Sequence, residues 1–567
     1  MFGLGVGGII SVASIMGFHG NAYTPGLSGS EMITKLHSRI SLENVIIGTR
    51  FLSRLPSFLR HPTSSQEARA ILRRRFEQRE ENFLAVVKQA VYGHAASPYR
   101  QLLQLAGCEY GDLERLVHQE GVEGALRVLY SHGVYVTVDE FKGRRPATRG
   151  NATVVVNPDL LRNPLAAFHV PARSGGSRSK GTPLLFDLDF VRGCGVNACL
   201  ALEARGGADW LKATWETSGA GARFRLLKFS SFGAPPVRWF SQIDPAAPGL
   251  DPVFRWSELA MRLGSSLGAV PLPLSTHAPL HSPLSIAHWM AGVLQTGNIP
   301  FLFTFPSSAV RLCQAAYEAG VNLRGAQLTL GGEPITGARL TVIRRTGADA
   351  LPRYGTIECG PIGYGCLKPE FPDDVHLLHD LHALIRSPET DGEAHGFPAN
   401  ALFVSSLHPR APFVMLNVSM GDQATLVGRA CGCPMEQLGW VTHLHTIRSY
   451  EKLTGGGMTF LDTDVIRVLE EELPARFGGA PTDYQLLEEE ADDGQPVLRL
   501  LVHPRVGPLD TNAIADAFLR TIGSTSSIEQ VMEFLWRDAG FLRVERRAPL
   551  TTHSGKVLHL HLERSKS

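Results

Sequence analysis

Several stretches of this chain collect residue types that handle anions. In the segment Arg173-Ser174-Gly175-Gly176-Ser177-Arg178-Ser179-Lys180-Gly181-Thr182-Pro183, three glycines, four hydroxyls and three basic side chains fall within eleven positions. Glycines let backbone N–H groups approach phosphate oxygens, hydroxyls add donors, and Arg or Lys supplies charge. No Gly-Lys-Ser/Thr pair opens a helix, so this is not the Walker pattern. The same composition also serves as a surface connector. Near the other end, Pro549-Leu550-Thr551-Thr552-His553-Ser554-Gly555-Lys556-Val557 sets a lysine on a glycine turn. An ammonium on such a turn can reach a neighbouring site and stabilise developing negative charge; the plainer reading is a solvated hairpin lysine. Only ten of the 55 basic residues are lysines, so each one stands out.

Three stretches between them suit a nucleotide. Leu328 to Pro334 is a strand entering a double-glycine turn at Gly331 and Gly332, followed by Glu333, where a planar ligand can lie on bare backbone. Arg353-Tyr354-Gly355-Thr356-Ile357-Glu358 carries an aromatic able to stack a base and a carboxylate able to hold Mg²⁺, or is simply a strand end with a turn. Gly421-Asp422 offers a carboxylate to ribose hydroxyls, or an ordinary turn.

The elements that must position these groups follow from periodicity. Ser64-Ser65-Gln66-Glu67 has the form of a capping box. Leu72, Phe76, Phe83, Val87 and Val91 then share one face of a long amphipathic helix whose other face, with Arg73-Arg74-Arg75 and Glu80-Glu81, reads as solvated. Ser97-Pro98 breaks it and a second helix begins at Tyr99. Val134 to Val138 and Thr153 to Val156 read as short strands, and helical and strand patterns interleave to about residue 345, which argues for an α/β layered domain. Ala401 to Val404 adds a strand. After about residue 450 the pattern restarts: helix over 464–473, strand over 497–502, helix over 512–522, then a Gly/Ser turn and a further helix. The expected division is a partly helical extension over 1–95, a large α/β domain over 96–448 and a smaller, mobile α+β domain over 449–567 carrying Lys556.

Composition excludes several classes. The 567 residues exceed what one core usually holds. With 44% hydrophobic and 19% charged residues and a net charge of +1, nothing points to nucleic acid or an acidic membrane surface as partner. Eight irregularly spaced cysteines do not make a secreted disulfide framework and fit a reduced, cytoplasmic setting. Met1 to Phe18 is apolar and uncharged but lacks a basic n-region and is rich in glycine. It reads as a buried or poorly ordered leader, or as a start codon placed too far upstream, in preference to a membrane anchor.

Taken together and in order, these motifs resemble the adenylate-forming superfamily of acyl-CoA synthetases, adenylation domains and luciferases, and most of all its phenylacetate-CoA ligase-like branch. The resemblance covers roughly residues 97 to 560, with Ser97-Pro98-Tyr99-Arg100 and Phe305-Pro306-Ser307-Ser308 agreeing as well. It implies an AMP-forming ligase that joins a small carboxylic acid, aryl acids included, to ATP, releases pyrophosphate, and passes the acyl group to a CoA or carrier-protein thiol. Ser174, Gly175, Gly176, Ser177, Arg178, Ser179, Lys180, Gly181 and Thr182 would cradle the phosphates. Gly331, Gly332 and Glu333 would border the adenine, with Tyr354 stacking and Gly355 and Thr356 beside it. Glu358 would coordinate Mg²⁺, Asp422 and Arg448 would hold the ribose, and Lys556 would bridge carboxylate and α-phosphate. A homodimer is compatible with the resemblance. The acid pocket is expected between about residues 230 and 335, near Trp239-Phe240, His277, His281 and His288.

The branch often carries a structural zinc on a Cys-x-Cys joined by an earlier Cys and His. Cys431 and Cys433 with Cys366 and His376 match that pattern, with His379 or His382 as competing ligands and four unrelated buried residues as the alternative. The chain also departs from the family. The phosphate loop is about two residues longer, Ile357 stands where a Ser or Thr is usual, Asn417 to Asp422 lacks the common Tyr-Arg, and Tyr450-Glu451 replaces an acidic hinge pair. These departures keep two other readings open: adenylation with an amine, protein or unusual-acid partner, and a degenerate nucleotide-binding scaffold.

Overall fold

The computed structural model describes residues 42–167, 170–173, 183–216, 219–244, 253–388, 397–449, 453–455, 458–460, 462–490, 496–523, 542–551 and 556–563. The phosphate-loop residues Ser174 to Thr182, the leader Met1 to Phe18, Tyr450-Glu451, Thr552 to Gly555 and the Gly/Ser turn and helix expected after residue 523 lie outside the described residues. The chain divides into two compact units, 1–50 and 51–567. In the first, only residues 42–50 of the helix Leu42–Arg60 are described.

The second unit is built on a ten-stranded mixed sheet. Its strands are β1 (Leu211–Glu216), β2 (Arg238–Ser241), β3 (Ser275–His277), β4 (Pro300–Thr304), β5 (Gln327–Gly331), β6 (Asp349–Thr356), β7 (Gly360–Gly365), β8 (Val375–Leu377), β9 (Asp422–Gly428) and β10 (Thr442–Ser449), in spatial order β9-β10-β8-β7-β6-β5-β4-β1-β2-β3. From β3 to β6 the pairing is parallel, and from β6 to β9 antiparallel. Parallel strands need helical crossovers and are covered on both faces, which is why β4 (Pro-Phe-Leu-Phe-Thr) is buried throughout. Its side chains alternate: Leu302 joins the core under α4 (Leu284–Gln295), α5 (Pro306–Glu318) and α6 (Gly337–Arg344), while Phe301 and Phe303 join Leu202 and Phe229 on the opposite face. That opposite face is covered by α2 (Leu188–Ala204) and α3 (Ala220–Ser230), and α1 (Ser65–Glu77) packs outside α2.

The capping box at Ser64 and Glu67 is formed, and Leu72, Phe83, Val87 and Val91 are buried as expected. The helix is not continuous: it restarts at Arg79 after Gln78 and widens into a π turn over Lys88–Tyr92. Arg75, expected on the solvated face, instead donates to Asp380 Oδ2 at 3.1 Å and Asn197 Oδ1 at 3.0 Å. The strand expected over Val134 to Val138 shrinks to a single bridge between Val136 and Val418, because Thr137 and Glu140 form a capping box that starts a helix at Val138.

A second, four-stranded sheet lies near the C-terminal end: β11 (Tyr484–Glu490), β12 (Pro496–Val502), β13 (Leu542–Glu545) and β14 (Leu560–Glu563), in order β13-β12-β11-β14. It packs with the helix Thr511–Gly523 around Phe518, Leu500 and Val468 in a core of its own. The fold is thus a large α/β domain followed by a smaller α+β domain.

The two cores are joined by a buried ionic cluster. Arg339 of α6, only 1% exposed, pairs with Glu333 at 2.9 Å and with Glu470 at 2.6 Å. His559 Nε2 lies 2.6 Å from Glu470 Oε1, and Thr336 donates to the same carboxylate. Burial alone would raise the Glu470 carboxyl, but Arg339 and the His559 contact outweigh it and hold it at about 2. A depressed carboxyl contributes stability that is complete above its unfolded value and lost as pH falls through the folded one. Glu470→Gln leaves Glu333 alone to pair Arg339, weakens the charged hydrogen bonds made to Glu470, and is expected to cost about 1.5–3 kcal/mol near neutral pH. The gap between wild type and variant in urea unfolding should narrow as pH drops from about 4.5 toward 2; a gap independent of pH would contradict the pairing.

Candidate active site

At the C-terminal ends of the parallel strands, β5 ends in the Gly331-Gly332 turn and β6 in Tyr354 to Thr356. Arg353 pairs in register with Gly331, which sets the two motifs side by side. Gly332 has φ +85°, a left-handed conformation that glycine adopts without strain, and a Cβ there would sit 3.0 Å from Lys556 Nζ. Bare backbone therefore makes the space into which the C-terminal lysine reaches. Lys556 Nζ also lies 5.4 Å from the centroid of the Phe305 ring. Burial holds its ammonium below the usual lysine range, and the charges of Glu333, Arg225, Glu358 and Asp422 all act on it. The rare lysine thus lies within the electrostatic reach of three motif carboxylates, Glu333, Glu358 and Asp422.

Glu358 sits in the β6–β7 turn and is buried. Burial pushes its carboxyl above the usual range against the opposing pull of Lys142 and Lys556. A bulge between Tyr354 and Gly355 shifts the β6–β7 register, and Gly355 is required there, since a Cβ would come within 2.4 Å of Gly360 O. Thr356 Oγ1 lies 3.3 Å from Cys359 Sγ. The Tyr354 hydroxyl donates to Asp422 Oδ2 at 2.8 Å, tying the expected stacking and ribose residues together. Arg448 lies beside Gln423 in the β9–β10 register, and its guanidinium donates to Asp373 Oδ2 at 3.0 Å. Glu333 accepts from Ser307 N at 2.9 Å, Ser307 Oγ at 2.7 Å, Arg339 and Val557 N at 3.1 Å. Its carboxylate is a joint between the two cores, and Val557 is the residue after Lys556.

The strands Val170–Arg173 and Pro183–Phe186, which flank the basic glycine loop, are antiparallel with Arg173 opposite Pro183. Phe186 anchors them on α3 through Phe224, ring centroids 4.7 Å apart. His277, His281 and His288, placed by sequence near an acid pocket, are exposed, whereas Trp239 is core.

Away from these groups, the β8–β10 pairing brings a Cys/His cluster together. His376 and His443 are register partners with rings 4.1 Å apart. One ligand atom from each of Cys366, His376, Cys431 and His443 falls within 4.8 Å of the others, and Cys433 Sγ lies 3.2 Å from His376 Nε2. His376 Nδ1 donates to Trp440 O at 2.6 Å, which leaves its Nε2 lone pair facing the thiols. Burial lowers its pKa to about 4, so the ring is neutral near pH 7. His443 Nδ1 donates to Asp374 Oδ1 at 2.7 Å, and its Nε2 is buried without a hydrogen-bond partner. Burial raises the Cys366 and Cys431 thiols, while backbone N–H groups outweigh burial at Cys433 and lower it. His443 was not among the sequence-derived ligands. His382 instead donates from Nε2 to Pro361 O at 2.8 Å.

No sequence-family profile matches the chain, and no curated protein matches it in sequence. Solved structures do match in fold. A 2-hydroxyisobutyryl-CoA ligase in the postadenylation state, in complex with R3-HIB-AMP, superposes with a TM-score of 0.50 at 15% identity, covering 89% of this chain and 91% of that one. An O-succinylbenzoate coenzyme A synthetase from Bacillus subtilis, in complex with ATP and magnesium ion, matches at 13% identity and a TM-score of 0.38, over 70% of each chain. The chain therefore shares the fold of the 2-hydroxyisobutyryl-CoA ligase.

If bare backbone at Gly332 makes room for Lys556, Gly332→Ala displaces the lysine. The expected result is a loss of order 1–3 kcal/mol from the left-handed backbone, with faster acylation of Lys556 by an amine-reactive reagent in peptide mapping. Unchanged Lys556 reactivity would refute the contact.

Proposed function

We propose that the chain is an ATP-dependent, AMP-forming acid–thiol ligase. The observation that carries this reading is the convergence of Lys556, from the end of the chain, with the Gly331-Gly332 turn, Tyr354, Glu358 and Asp422 of the large sheet. In this reading residues 96–448 form the large domain, 449–567 the small mobile one, and 1–95 an extension whose part from residue 51 packs with the large core.

The first half-reaction joins an acid carboxylate oxygen to the α-phosphorus of ATP and breaks the bond to the β-phosphate oxygen, so acyl-AMP and pyrophosphate leave. Anions must approach one another, and donors and cations must dominate the site at that moment. Lys556 holds its proton on Nζ between the carboxylate and the α-phosphate. Ser174 to Thr182 bind the remaining phosphates. Tyr354 stacks on the adenine, bordered by Gly331, Gly332 and Glu333 with Gly355 and Thr356, and Asp422 with Arg448 orients the ribose. A single buried carboxylate suits Mg²⁺, which keeps several waters, and Glu358 would hold it, the ion supplying charge neutralisation on the phosphates. In the second half-reaction a thiol, on CoA or a carrier protein, attacks the acyl carbon and AMP departs.

The Cys/His cluster fits a structural Zn²⁺: soft thiols, a neutral imidazole with its lone pair facing them, and the orphan Nε2 of His443 form a donor set of the zinc type. Cys366, His376, Cys431 and Cys433 would be the four ligands, with the His443 ring beside them. The cytoplasm suits these reduced thiols. Among the described residues, no helix is long and apolar enough to cross a membrane.

Acid-dependent pyrophosphate release should fall by at least about 10²-fold in Lys556→Ala while ATP binding by calorimetry persists. Full activity in that variant would remove the lysine from the mechanism, and no release with any acid would remove adenylation. Metal analysis of the purified chain should return one zinc per chain, lost in Cys433→Ser together with several degrees of melting temperature. A metal-free wild type of unchanged stability would refute the zinc site.

A further inference from the structure

Two consecutive aspartates, Asp373 and Asp374, lead into β8, and both are buried. Burying two carboxylates side by side is costly unless each is paired and hydrogen-bonded. Each is, and to a different part of the molecule. Asp374 faces the Cys/His cluster. Its Oδ1 accepts from His443 Nδ1 at 2.7 Å, its Oδ2 accepts from Glu370 N at 3.0 Å and from the Arg429 guanidinium, and its carbonyl accepts from Cys366 N at 2.9 Å. Side chain and backbone are thus both held by residues of the cluster.

Asp373 faces the end of β10. Its Oδ1 accepts from Thr446 N at 3.0 Å, and its Oδ2 from Ile447 N at 2.7 Å and Arg448 Nη1 at 3.0 Å. Donors from three successive residues therefore converge on one carboxylate. Thr446 has φ +54°, a left-handed conformation that a β-branched residue adopts only under constraint. The β9–β10 register shifts opposite it, between Gln423 and Thr425. Backbone strain of this kind persists where the surroundings over-determine it, and it gathers at functional sites. Here the constraint is the Asp373 carboxylate, which takes the amides on both sides of the Thr446 Cα.

The residue that this kink delivers is Arg448. Its Nη1 donates to Ile447 O at 2.7 Å as well as to Asp373, so the guanidinium is held at two points. It lies one register step from the carboxylate assigned to the ribose: Gln423 pairs with Arg448 and Asp422 with Ser449, and Asp422 Oδ2 accepts from the Tyr354 hydroxyl at 2.8 Å. A guanidinium on a free stem loses rotamer entropy when it meets a ligand, and a clamped one has already lost it.

We propose that Asp373 is a positioning residue for nucleotide binding, acting through Arg448, and that Asp374 keeps it in place by anchoring the same two-residue segment to the Cys/His cluster. The cluster and the nucleotide site are then one mechanical unit joined through adjacent aspartates. This rests on the ribose-binding role given to Asp422 and Arg448 in the proposed function; the contacts of the two aspartates stand without it.

The test is calorimetric titration of the full chain with AMP, which presents the ribose without Mg²⁺, beside thermal unfolding of each variant. Arg448→Met and Asp373→Asn should each weaken AMP about ten-fold, as expected for a lost hydrogen bond to a charged group. The double variant should bind no more weakly than Arg448→Met alone, because Asp373 then has nothing left to position; a merely structural aspartate would lower affinity in both backgrounds. Asp374→Asn should weaken AMP in the wild-type background and not in Asp373→Asn. In pyrophosphate release, Asp373→Asn should raise the KM for ATP and leave kcat near the wild-type value, the signature of lost uniform binding. Asp373→Asn is isosteric and keeps an acceptor for Thr446 N; Asp373→Glu, with its carboxylate one methylene further out, completes the same cycle if the Asn variant melts below the assay temperature. Additive losses in the double variant, an Asp374→Asn loss that persists in Asp373→Asn, or a fall in kcat with KM unchanged overturns the proposal. A wild type that binds no AMP, or an Arg448→Met variant that binds it unchanged, removes the nucleotide role of Arg448 and the proposal with it. Weakened binding in Arg448→Met beside unchanged binding in Asp373→Asn leaves the nucleotide reading standing and removes the positioning role alone.

Discussion

Arg339 holds two carboxylates that belong to different cores. On one side is Glu333, at the end of the double-glycine turn; on the other is Glu470, in the π turn that opens the C-terminal core. All three side chains are at most 1% exposed, so their mutual attraction is little screened by solvent or salt. The position of Lys556 depends on this cluster. Glu333 accepts from Val557 N, and Lys556 precedes it, so the backbone that carries the lysine is tied to the same carboxylate that Arg339 fixes. A buried ion pair is weak evidence for stability but a strong device for fixing one geometry among alternatives. Here the geometry fixed is that of the lysine over Gly332.

This arrangement constrains how any domain rotation would proceed. Moving the C-terminal core away from the large sheet separates Glu470 and His559 from Arg339, and Val557 from Glu333, exposing charges that are buried here. Water can then solvate them, so the loss is partly offset. An interface of charges and hydrogen bonds can open in this way, whereas an apolar one of equal area would lose its whole hydrophobic term. Thr336, Ser307 and the Val557 backbone add further polar contacts to the same interface.

Features local in sequence were legible, and those created by strand register or packing were not. The capping box at Ser64 and the helix starting at Pro98 follow from four or five consecutive residues, and both are present. Val134 to Val138 misled because a β-branched run was weighed above the Thr137–Glu140 box inside it. The Gly331-Gly332 and Tyr354-Gly355 stretches could be singled out because each is a short run at one turn, and Lys556 because lysines are rare. His443 was missed because its relation to His376 is a register partnership across antiparallel strands 67 positions apart, which no spacing rule encodes. The exposed His277, His281 and His288 show the converse, residue types suited to a pocket but set on strand, turn and helix surfaces.

Lys228 marks the deepest limit of that reading. In Arg223-Phe224-Arg225-Leu226-Leu227-Lys228 the basic residues look like the wet side of an amphipathic helix. Helix α3, however, is enclosed on two sides, by the sheet through Phe229 and Phe301 and by the hairpin through Phe224 and Phe186, so it has little wet side to offer. Arg225 then turns to Glu216 at the end of β1, which leaves Lys228 one helical turn further along with no carboxylate of its own. Arg353 reaches the same space from the sheet because strand alternation sends Tyr354 to one face and Arg353 to the other. Tyr354 and Arg353 are thus consecutive residues with opposite directions on a single strand, β6.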